Sequence, residues 1–290
     1  MKNRVKQPTE KKTMDTDTAK ASKKPASTFS SGYAPVNGLD MYYEIHGNGY
    51  PLVLIHGGGS TIQTTFGNIL PLLAAHYKVI AVELQAHGHT KDRGRASSFE
   101  QDADDVAALL KHLGIPSANI FGFSNGGSTA LQVAIRHPDM VTKLVALSAV
   151  TRRDGLLPGF FDGMKNASLA NMPGPLQEAY LAITGSKEGL QVMHDRDKNR
   201  MVEFKDWPEA ELSSIKAPAL LLSSDKDVIV PQHTLWLAQK IPHSSLAILP
   251  GVHGAAIGEV CTVVPGSKLP AITVALISDF LDNTPPATAK

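Results

Sequence analysis

From Tyr33 onward, two kinds of segment alternate along the chain: short apolar runs and longer stretches with helical periodicity. Several of the short runs are apolar at every position instead of every second one. Such runs are typical of parallel strands that are buried on both faces of a sheet. We predict strands over residues 41–45, 52–55, 79–84, 119–123, 144–147, 219–222 and 246–249.

Helical patterns separate these strands. Residues 97–100 read Ser-Ser-Phe-Glu, which predicts a capping box with Ser97 as the N-cap, and apolar residues then recur on one face until Gly114. Further helices are predicted over residues 125–137, 233–241 and 271–281. Strands that alternate with helices indicate an α/β fold, in which a mostly parallel sheet is covered by helices on both faces.

The alternation breaks once, between residues 150 and 215. This stretch has no strong strand pattern and contains short pieces rich in Gly, Pro, Met and Phe. We expect it to form a cap over the carboxyl ends of the strands, on a core made of residues 33–149 and 216–290. Apolar cap side chains would then line the substrate pocket, and the candidates are Phe160, Phe161, Met164, Met193 and Trp207.

The composition is typical of a globular protein with a large core. Of 290 residues, 42% are hydrophobic and 19% are charged, and the mean hydropathy is −0.08. Residues 1–32 have almost no large apolar side chains, so we predict a disordered basic tail there; a basic anchor for an anionic surface is the alternative. Residues 1–24 hold eight of the 28 basic and three of the 27 acidic side chains, which leaves 20 bases against 24 acids. This acidic body argues against nucleic acid as a partner.

Localisation rests on what the sequence does not contain. Cys261 is the single cysteine, which excludes a disulfide within the chain. The sequence has no apolar window of about 18 residues, which predicts no membrane span. Because the first 30 residues show no apolar signal region, we expect a cytoplasmic protein. The oligomeric state stays open.

The strongest chemical signal is Gly122-Phe123-Ser124-Asn125-Gly126, a G-x-S-x-G pattern between a predicted strand and a predicted helix. The turn is so tight that side chains two residues before and two after the serine would collide, which explains both glycines. Ser124 would therefore stand exposed above the sheet in a strained conformation. We predict that it is a catalytic nucleophile.

A serine nucleophile needs a base, and the base needs an orienting acid. His253 follows the last predicted strand and is the candidate base, whereas His87 and His89, in the loop after another strand, are interpreted as structural. Asp227 is preferred as the acid because it lies beyond the end of a strand and four residues before a proline. Asp225 remains the alternative.

Acyl transfer also needs donors for the developing oxyanion. The sequence His56-Gly57-Gly58-Gly59-Ser60 follows a predicted strand, and its bare backbone can approach a carbonyl closely. We predict that the backbone N–H groups of Gly58 and Asn125 form the oxyanion hole, with Gly59 as a possible third donor and pocket residue. A phosphate-binding loop is disfavoured because no Lys-Ser/Thr follows.

Together these motifs resemble the α/β-hydrolase fold superfamily, in particular its compact serine esterase members. The resemblance covers residues 36–281 and also includes Glu83-Leu84-Gln85-Ala86-His87-Gly88-His89-Thr90 and Pro250-Gly251-Val252-His253. It implies an eight-stranded sheet, a cap after strand six, a Ser-His-Asp triad and no cofactor or metal. It also favours Asp227, since the acid of this family commonly stands four residues before a proline.

The sequence therefore predicts a serine hydrolase that cleaves small or medium, mainly apolar carboxylic esters through an acyl-enzyme. A carbon–carbon bond hydrolase, a lactonase, an amidase and a cofactor-free perhydrolase use the same triad and remain alternatives. A non-catalytic ligand receptor is a further alternative, which the intact set of Ser, Asp and His disfavours.

Overall fold

The computed structural model describes residues 29–283, so the predicted tail over residues 1–28 lies outside the described part of the chain. The strands are β1 (Ser30–Val36), β2 (Leu39–His46), β3 (Pro51–Ile55), β4 (Lys78–Val82), β5 (Ala118–Phe123), β6 (Val141–Leu147), β7 (Ala219–Lys226) and β8 (Ser244–Val252). They form one sheet in the order β1-β2-β4-β3-β5-β6-β7-β8. β2 runs antiparallel to β1 and β4, and every other pair is parallel. This confirms the predicted eight-stranded, mostly parallel α/β fold.

The helices follow the strands in the expected alternation. They are α1 (Ile62–Phe66), α2 (Leu70–Ala74), α3 (Phe99–His112), α4 (Asn125–Arg136), α5 (Phe160–Lys165), α6 (Gly174–Thr184), α7 (Lys187–Val202), α8 (Glu209–Ser213), α9 (Pro231–Lys240) and α10 (Leu269–Asp282). Short 3₁₀ turns cover Pro138–Met140, Arg153–Gly155, Leu169–Asn171 and Ala255–Ile257. Among the helices of residues 29–283, none combines the length and apolarity that a membrane crossing requires.

The sheet separates two apolar layers. On one face, the strands pack against α3, α4, α8 and α9, and on the other face against α1, α2 and α10. Residues 52–55 of β3 are completely buried, as expected for a parallel strand covered on both sides. The carboxyl ends of the central strands therefore lie at a rigid edge, on which loops can place chemical groups.

Strand β1 corrects the predicted boundary of the tail. Residues 30–32, assigned above to the tail, pair with β2, and the two-residue turn Asn37-Gly38 joins the strands with positive φ at both positions. Asn-Gly is a strong hairpin signal, because both residues tolerate the left-handed conformation. Strand β1 was missed because it is rich in Ser, Gly and Pro.

The start of α3 lies one residue later than predicted. Ser98, not Ser97, is the N-cap, and its side chain accepts the backbone N–H of Gln101 at 3.1 Å. The neighbouring serines are chemically equivalent as caps, so the sequence alone does not separate them.

The insertion, defined here as residues 150–215, lies between β6 and β7. All residues of the insertion are described, and none of them forms a strand of more than one residue. Short segments were expected here, but α7 is a helix of 16 residues. Five residues of α7 are buried, and two of them are charged: Leu190, Met193, Asp197, Arg200 and Met201. Because charged residues occupy part of the buried face, the usual apolar stripe is absent from the sequence.

Candidate active site

Ser124 lies at the sharp turn between β5 and α4. Its backbone has φ 57° and ψ −122°, a conformation that a residue with a side chain rarely adopts. A Cβ added to Gly122 would lie 1.9 Å from the carbonyl oxygen of Gly126, and one added to Gly126 would lie 2.1 Å from that of Ile55. Both glycines are therefore required by close contact between backbones.

Three side chains from separate loops meet at this turn. The Oγ of Ser124 lies 3.0 Å from Nε2 of His253, and Nδ1 of His253 lies 2.7 Å from Oδ1 of Asp227. Because an ionised carboxylate only accepts hydrogen bonds, Nδ1 carries the proton and Nε2 of the neutral ring is free to accept from the serine hydroxyl. This arrangement can move a proton from Ser124 to His253.

Asp227 is held by several donors. Its carboxylate accepts from the Ser148 hydroxyl at 2.5 Å and from the N–H of Ile229 at 3.0 Å. Burial by itself would raise the pKa of Asp227, but the hydrogen bond and charge of His253, together with these donors, bring it below its usual value. Asp225 is exposed and accepts the N–H of Gly251 at 2.7 Å. The structure thus brings Asp227, and not Asp225, to the histidine.

The N–H groups of Gly58 and Asn125 are available as donors, because neither makes a hydrogen bond to another group of residues 29–283. His56 orients the peptide that carries the Gly58 N–H. Its Nδ1–H donates to the carbonyl of Gly57 at 2.7 Å, and its Nε2 accepts the N–H of Leu84 at 3.0 Å. Complete burial lowers the pKa of His56 to about 3, so the ring is neutral, as both bonds require.

Gly59 does not provide the third oxyanion donor that the sequence left possible. Its N–H donates to Oδ2 of Asp197, on helix α7, at 2.6 Å. The Nε2 of His87 lies 3.2 Å from the same nitrogen and 3.0 Å from the same carboxylate oxygen. The Gly59 N–H is therefore already engaged.

Four buried ionisable groups, including the two that make this contact, lie together here. Asp197 and Arg200 come from α7, whereas His87 and Asp102 come from the core, and Arg200 Nη2 lies 2.7 Å from Asp102 Oδ2. Burial would raise the pKa of Asp197, but the charges of His87 and Arg200 hold it far below its usual range. Burial raises the pKa of Asp102 to about 6. With His87 protonated, two positive and two negative charges balance near neutral pH.

Above Ser124 lies a cavity of about 390 Å³, between the strand ends and the insertion. Of the predicted pocket residues, Gly59, Phe160 and Met164 line it, together with the candidate site residues Gly58, Ser124, Asn125 and His253. Most of the remaining wall is apolar and consists of Val150, Leu156, Ala167, Met172, Pro173, Leu176, Met201, Val228 and Ile229. His194, Asp197 and Lys198 of α7 form a polar section of the same wall.

Three predicted pocket residues do not line this cavity. Phe161 packs on the guanidinium of Arg153, whose Cζ lies 3.5 Å from the ring centroid. Met193 is completely buried within the insertion, and Trp207 packs edge-on against Phe99 at 6.0 Å. These predictions were wrong because sequence gives no direction for side chains on helices whose packing partners are unknown.

Three polar lining residues gave no signal in the sequence: His194, Asp197 and Lys198. Met172, Leu176 and Met201 also line the cavity and belong to the apolar side chains of the insertion, which were predicted as a group to line the substrate pocket. Asp197 gave no signal, since a charged residue in a polar helix is normally solvent-exposed. Its role depends on contacts with residues more than a hundred positions away.

The sheet, the sharp turn at Ser124 and the convergence of Ser124, His253 and Asp227 are features of a hydrolase with α/β architecture. A model of the alpha/beta hydrolase fold matches residues 50–211, more than half of the chain. The protein therefore belongs to the alpha/beta hydrolase fold family, as its motifs suggested, and hydrolase is the class that its relatives support.

The human serine hydrolase BPHL is 28% identical over 252 residues, which cover 78% of this chain and 82% of BPHL. Among solved structures, the enol-lactonase of Burkholderia xenovorans LB400 superimposes with a TM-score of 0.65 at 23% identity, covering 86% of this chain and all of the other. The 2-hydroxy-6-oxo-6-phenylhexa-2,4-dienoate hydrolase of Rhodococcus sp. RHA1 gives 0.70 at 20% identity, covering 88% of this chain and 100% of that enzyme. At these identities, the two structures show a shared fold.

Proposed function

We propose that the protein hydrolyses carboxylic esters through an acyl-enzyme on Ser124. The observation that carries the proposal is the hydrogen-bonded series Ser124–His253–Asp227, at the floor of a mainly apolar cavity and next to two unengaged backbone N–H groups. The description of the human relative as a serine hydrolase supports a serine nucleophile.

In the first half-reaction, Ser124 Oγ attacks the carbonyl carbon of the ester while its proton passes to Nε2 of His253. The carbonyl oxygen becomes an oxyanion and accepts hydrogen bonds from the N–H groups of Gly58 and Asn125. Collapse of this intermediate breaks the bond to the alcohol oxygen, which takes the proton from His253 as it leaves. Ser124 then carries the acyl group.

In the second half-reaction, His253 removes a proton from a water molecule that attacks the acyl carbon. The bond to Ser124 Oγ breaks, the serine regains its proton from His253, and the carboxylic acid leaves. Asp227 keeps Nδ1 of His253 protonated in both halves, so that Nε2 is the nitrogen that accepts and returns protons.

We further infer that the insertion acts as the cap and sets specificity for uncharged, apolar acyl groups. Support comes from the cavity wall, which includes Phe160, Met164, Met172 and Leu176 of the insertion. Flexible methionines adapt their shape to different acyl chains. The cavity volume suits a small or medium ester.

The test is turnover of p-nitrophenyl acetate, butyrate and octanoate by the wild type and by Ser124→Ala. We expect the variant to lose at least a thousandfold in kcat. Ser213→Ala, an exposed serine on α8, is the matched control and should keep wild-type turnover. Turnover by Ser124→Ala equal to that of the wild type would exclude the acyl-enzyme.

A further inference from the structure

Helix α7 contacts the loop of residues 56–60, called the oxyanion loop below, through the side chain of Asp197. We propose that Asp197 is a positioning residue, which holds the Gly58–Gly59 peptide in place through this hydrogen bond and so keeps the Gly58 donor of the oxyanion hole aligned. The inference rests on the proposed function, since it gives these N–H groups their role in catalysis.

The oxyanion loop needs such a support because three consecutive glycines have little conformational preference of their own. Gly59 adopts φ +66°, in the left-handed region. The Gly58–Gly59 peptide is held at both ends: its carbonyl accepts from the Ser60 hydroxyl at 3.3 Å, and its N–H donates to Asp197 at 2.6 Å. Asp197 supplies the shorter of these two contacts.

The preceding peptide is held from the core. His56, at the end of β3, donates to the carbonyl of Gly57, and the N–H of that same peptide belongs to Gly58. One side of the oxyanion loop is therefore fixed by the sheet and the other by the insertion. Loss of the Asp197 contact would leave the Gly58–Gly59 peptide with two longer contacts, the Ser60 hydroxyl at 3.3 Å and Nε2 of His87 at 3.2 Å, and the resulting rotation of the peptide would misalign the Gly58 donor.

A carboxylate so close to a developing oxyanion would oppose catalysis unless its charge were neutralised. A Cβ built on Gly58 would lie only 3.0 Å from Oδ2 of Asp197, so the carboxylate is close to this donor. His87 supplies the opposite charge. Its Nδ1 donates to the carbonyl of Gln85 at 2.9 Å, and its Nε2 faces Oδ2 of Asp197 at 3.0 Å.

Both ring nitrogens of His87 thus face acceptors, which requires a proton on each and makes His87 an imidazolium. Burial would lower the pKa of His87, but the charge and the hydrogen bond of Asp197, together with the hydrogen bond to the Gln85 carbonyl, outweigh burial and raise it. The Gly59 N–H then has Asp197 as its acceptor, because a protonated Nε2 cannot accept. The ion pair keeps Asp197 fixed and electrically compensated beside the hole.

The competing interpretation is that Asp197 only anchors α7. Two substitutions separate the two roles. Asp197→Ala removes the nearer acceptor of the Gly59 N–H, whereas Asp197→Asn keeps an acceptor oxygen at the same place. Met193→Ala is the matched control for a loosened helix, because Met193 is a completely buried apolar anchor of α7 that does not line the cavity.

The first measurement separates kcat from KM with p-nitrophenyl butyrate. We expect Asp197→Ala to lower kcat between tenfold and a hundredfold, with KM changed by less than threefold, since a misplaced donor acts on the transition state. A trifluoromethyl ketone, which forms an oxyanion on Ser124, should bind weaker by the same factor. Asp197→Asn should regain at least a third of wild-type kcat, and Met193→Ala should keep kcat within threefold.

The second measurement does not depend on activity. Amide hydrogen exchange of the segment 56–61 should be at least tenfold faster in Asp197→Ala than in the wild type, and near wild type in Asp197→Asn. If Asp197→Ala does not fold, His87→Gln/Asp197→Ala against His87→Gln alone gives the same comparison without the excess buried charge.

The outcomes are distinct. If the wild type turns over no ester but exchange responds as expected, the proposed function fails while Asp197 keeps its positioning role. If esters are hydrolysed and Asp197→Ala matches the wild type in kcat and in exchange, the positioning role is overturned. Equal losses of kcat in Asp197→Ala and Met193→Ala would also overturn it, in favour of a simple anchor.

Discussion

The elbow, residues 122–126, and the insertion are built in opposite ways. In the elbow, backbone atoms approach so closely that neither Gly122 nor Gly126 has room for one more carbon. In the insertion, helix α5 buries none of its residues, and a Cβ on Gly163 would meet nothing within 4 Å. The contrast separates two tasks: a rigid backbone holds the atoms proposed to react, and a looser segment forms part of the cavity wall proposed to select the substrate.

The largest expected effect comes from the rigid side, at the acid that faces His253. Asp227→Asn should lower kcat by about 10⁴, because the amide no longer holds His253 in the tautomer that can accept a proton. Asp225→Asn is the matched control: its amide oxygen still accepts the N–H of Gly251, so kcat should be unchanged. Steady-state kinetics on p-nitrophenyl butyrate measures both, and a loss confined to Asp225→Asn would reverse the assignment.

A second test compares the two regions directly by adding one methyl group to each. Gly126→Ala should lower the free energy of unfolding by about 3 kcal/mol, because the new Cβ would overlap the carbonyl oxygens of Ile55 and His56. Gly163→Ala should raise it by about 0.5 kcal/mol, since the helical position is open and alanine favours the helix. Urea unfolding measures both changes. Equal destabilisation by the two substitutions would show that the regions are equally tightly packed.

A third test uses pH at the base of the insertion, where the backbone N–H of Thr151 donates to Nε2 of His233 at 3.2 Å. Burial lowers the pKa of His233 to about 4, so the His233 ring stays neutral at pH 5 in the folded chain. In the unfolded chain the same ring takes up a proton below about pH 6.5. The contribution of the neutral His233 ring to the free energy of unfolding is therefore fully present above pH 6.5 and is lost as the pH falls. Between pH 7 and 5 the loss should be about 2 kcal/mol.

His233→Gln should remove that part of the pH dependence, because glutamine does not titrate and can still accept from Thr151. The measurement is urea unfolding of both proteins at pH 7 and pH 5. A difference between the two pH values that is identical in wild type and variant would show that His233 is not kept neutral by the fold.

The smallest effect is expected at the cavity wall. Met164→Ala should change the ratio of kcat/KM for octanoate against acetate esters by about tenfold, since one or two methylene contacts are worth roughly 1 to 3 kcal/mol. Phe161→Ala is the matched control in the same helix, because Phe161 packs on Arg153 and not on the cavity. A ratio that changes in Phe161→Ala but not in Met164→Ala would place the acyl chain elsewhere.

Much of the fold and of the candidate site could be predicted from the sequence. Seven of the eight strands were predicted, because buried parallel strands are continuous apolar runs. Gly122, Ser124 and Gly126 could be identified as a nucleophile turn, because the steric limits of such a tight turn involve only five consecutive residues. The preference for Asp227 over Asp225 followed from its place relative to a proline, and the structure brings that carboxylate to His253.

Other elements could not be predicted in the same way. The short β1 has few apolar residues, and its signal was the Asn37-Gly38 turn. Helix α7 carries charges on its buried face, so its periodicity resembled that of a solvent-exposed segment. Which insertion side chains line the cavity depends on the rotation of each helix against its neighbours, and neighbouring Phe160 and Phe161 accordingly face different surroundings.

The sequence by itself determined what depends on local geometry: the alternation of strands and helices, the elbow glycines, and the order Ser124, Asp227, His253. Tertiary structure alone decided what depends on contacts between distant segments, such as the bond between Gly59 and Asp197 across 138 positions. The physical reason is that backbone sterics act between neighbours in the chain, whereas a buried carboxylate is stable only where folding brings its donors and counter-charges to it.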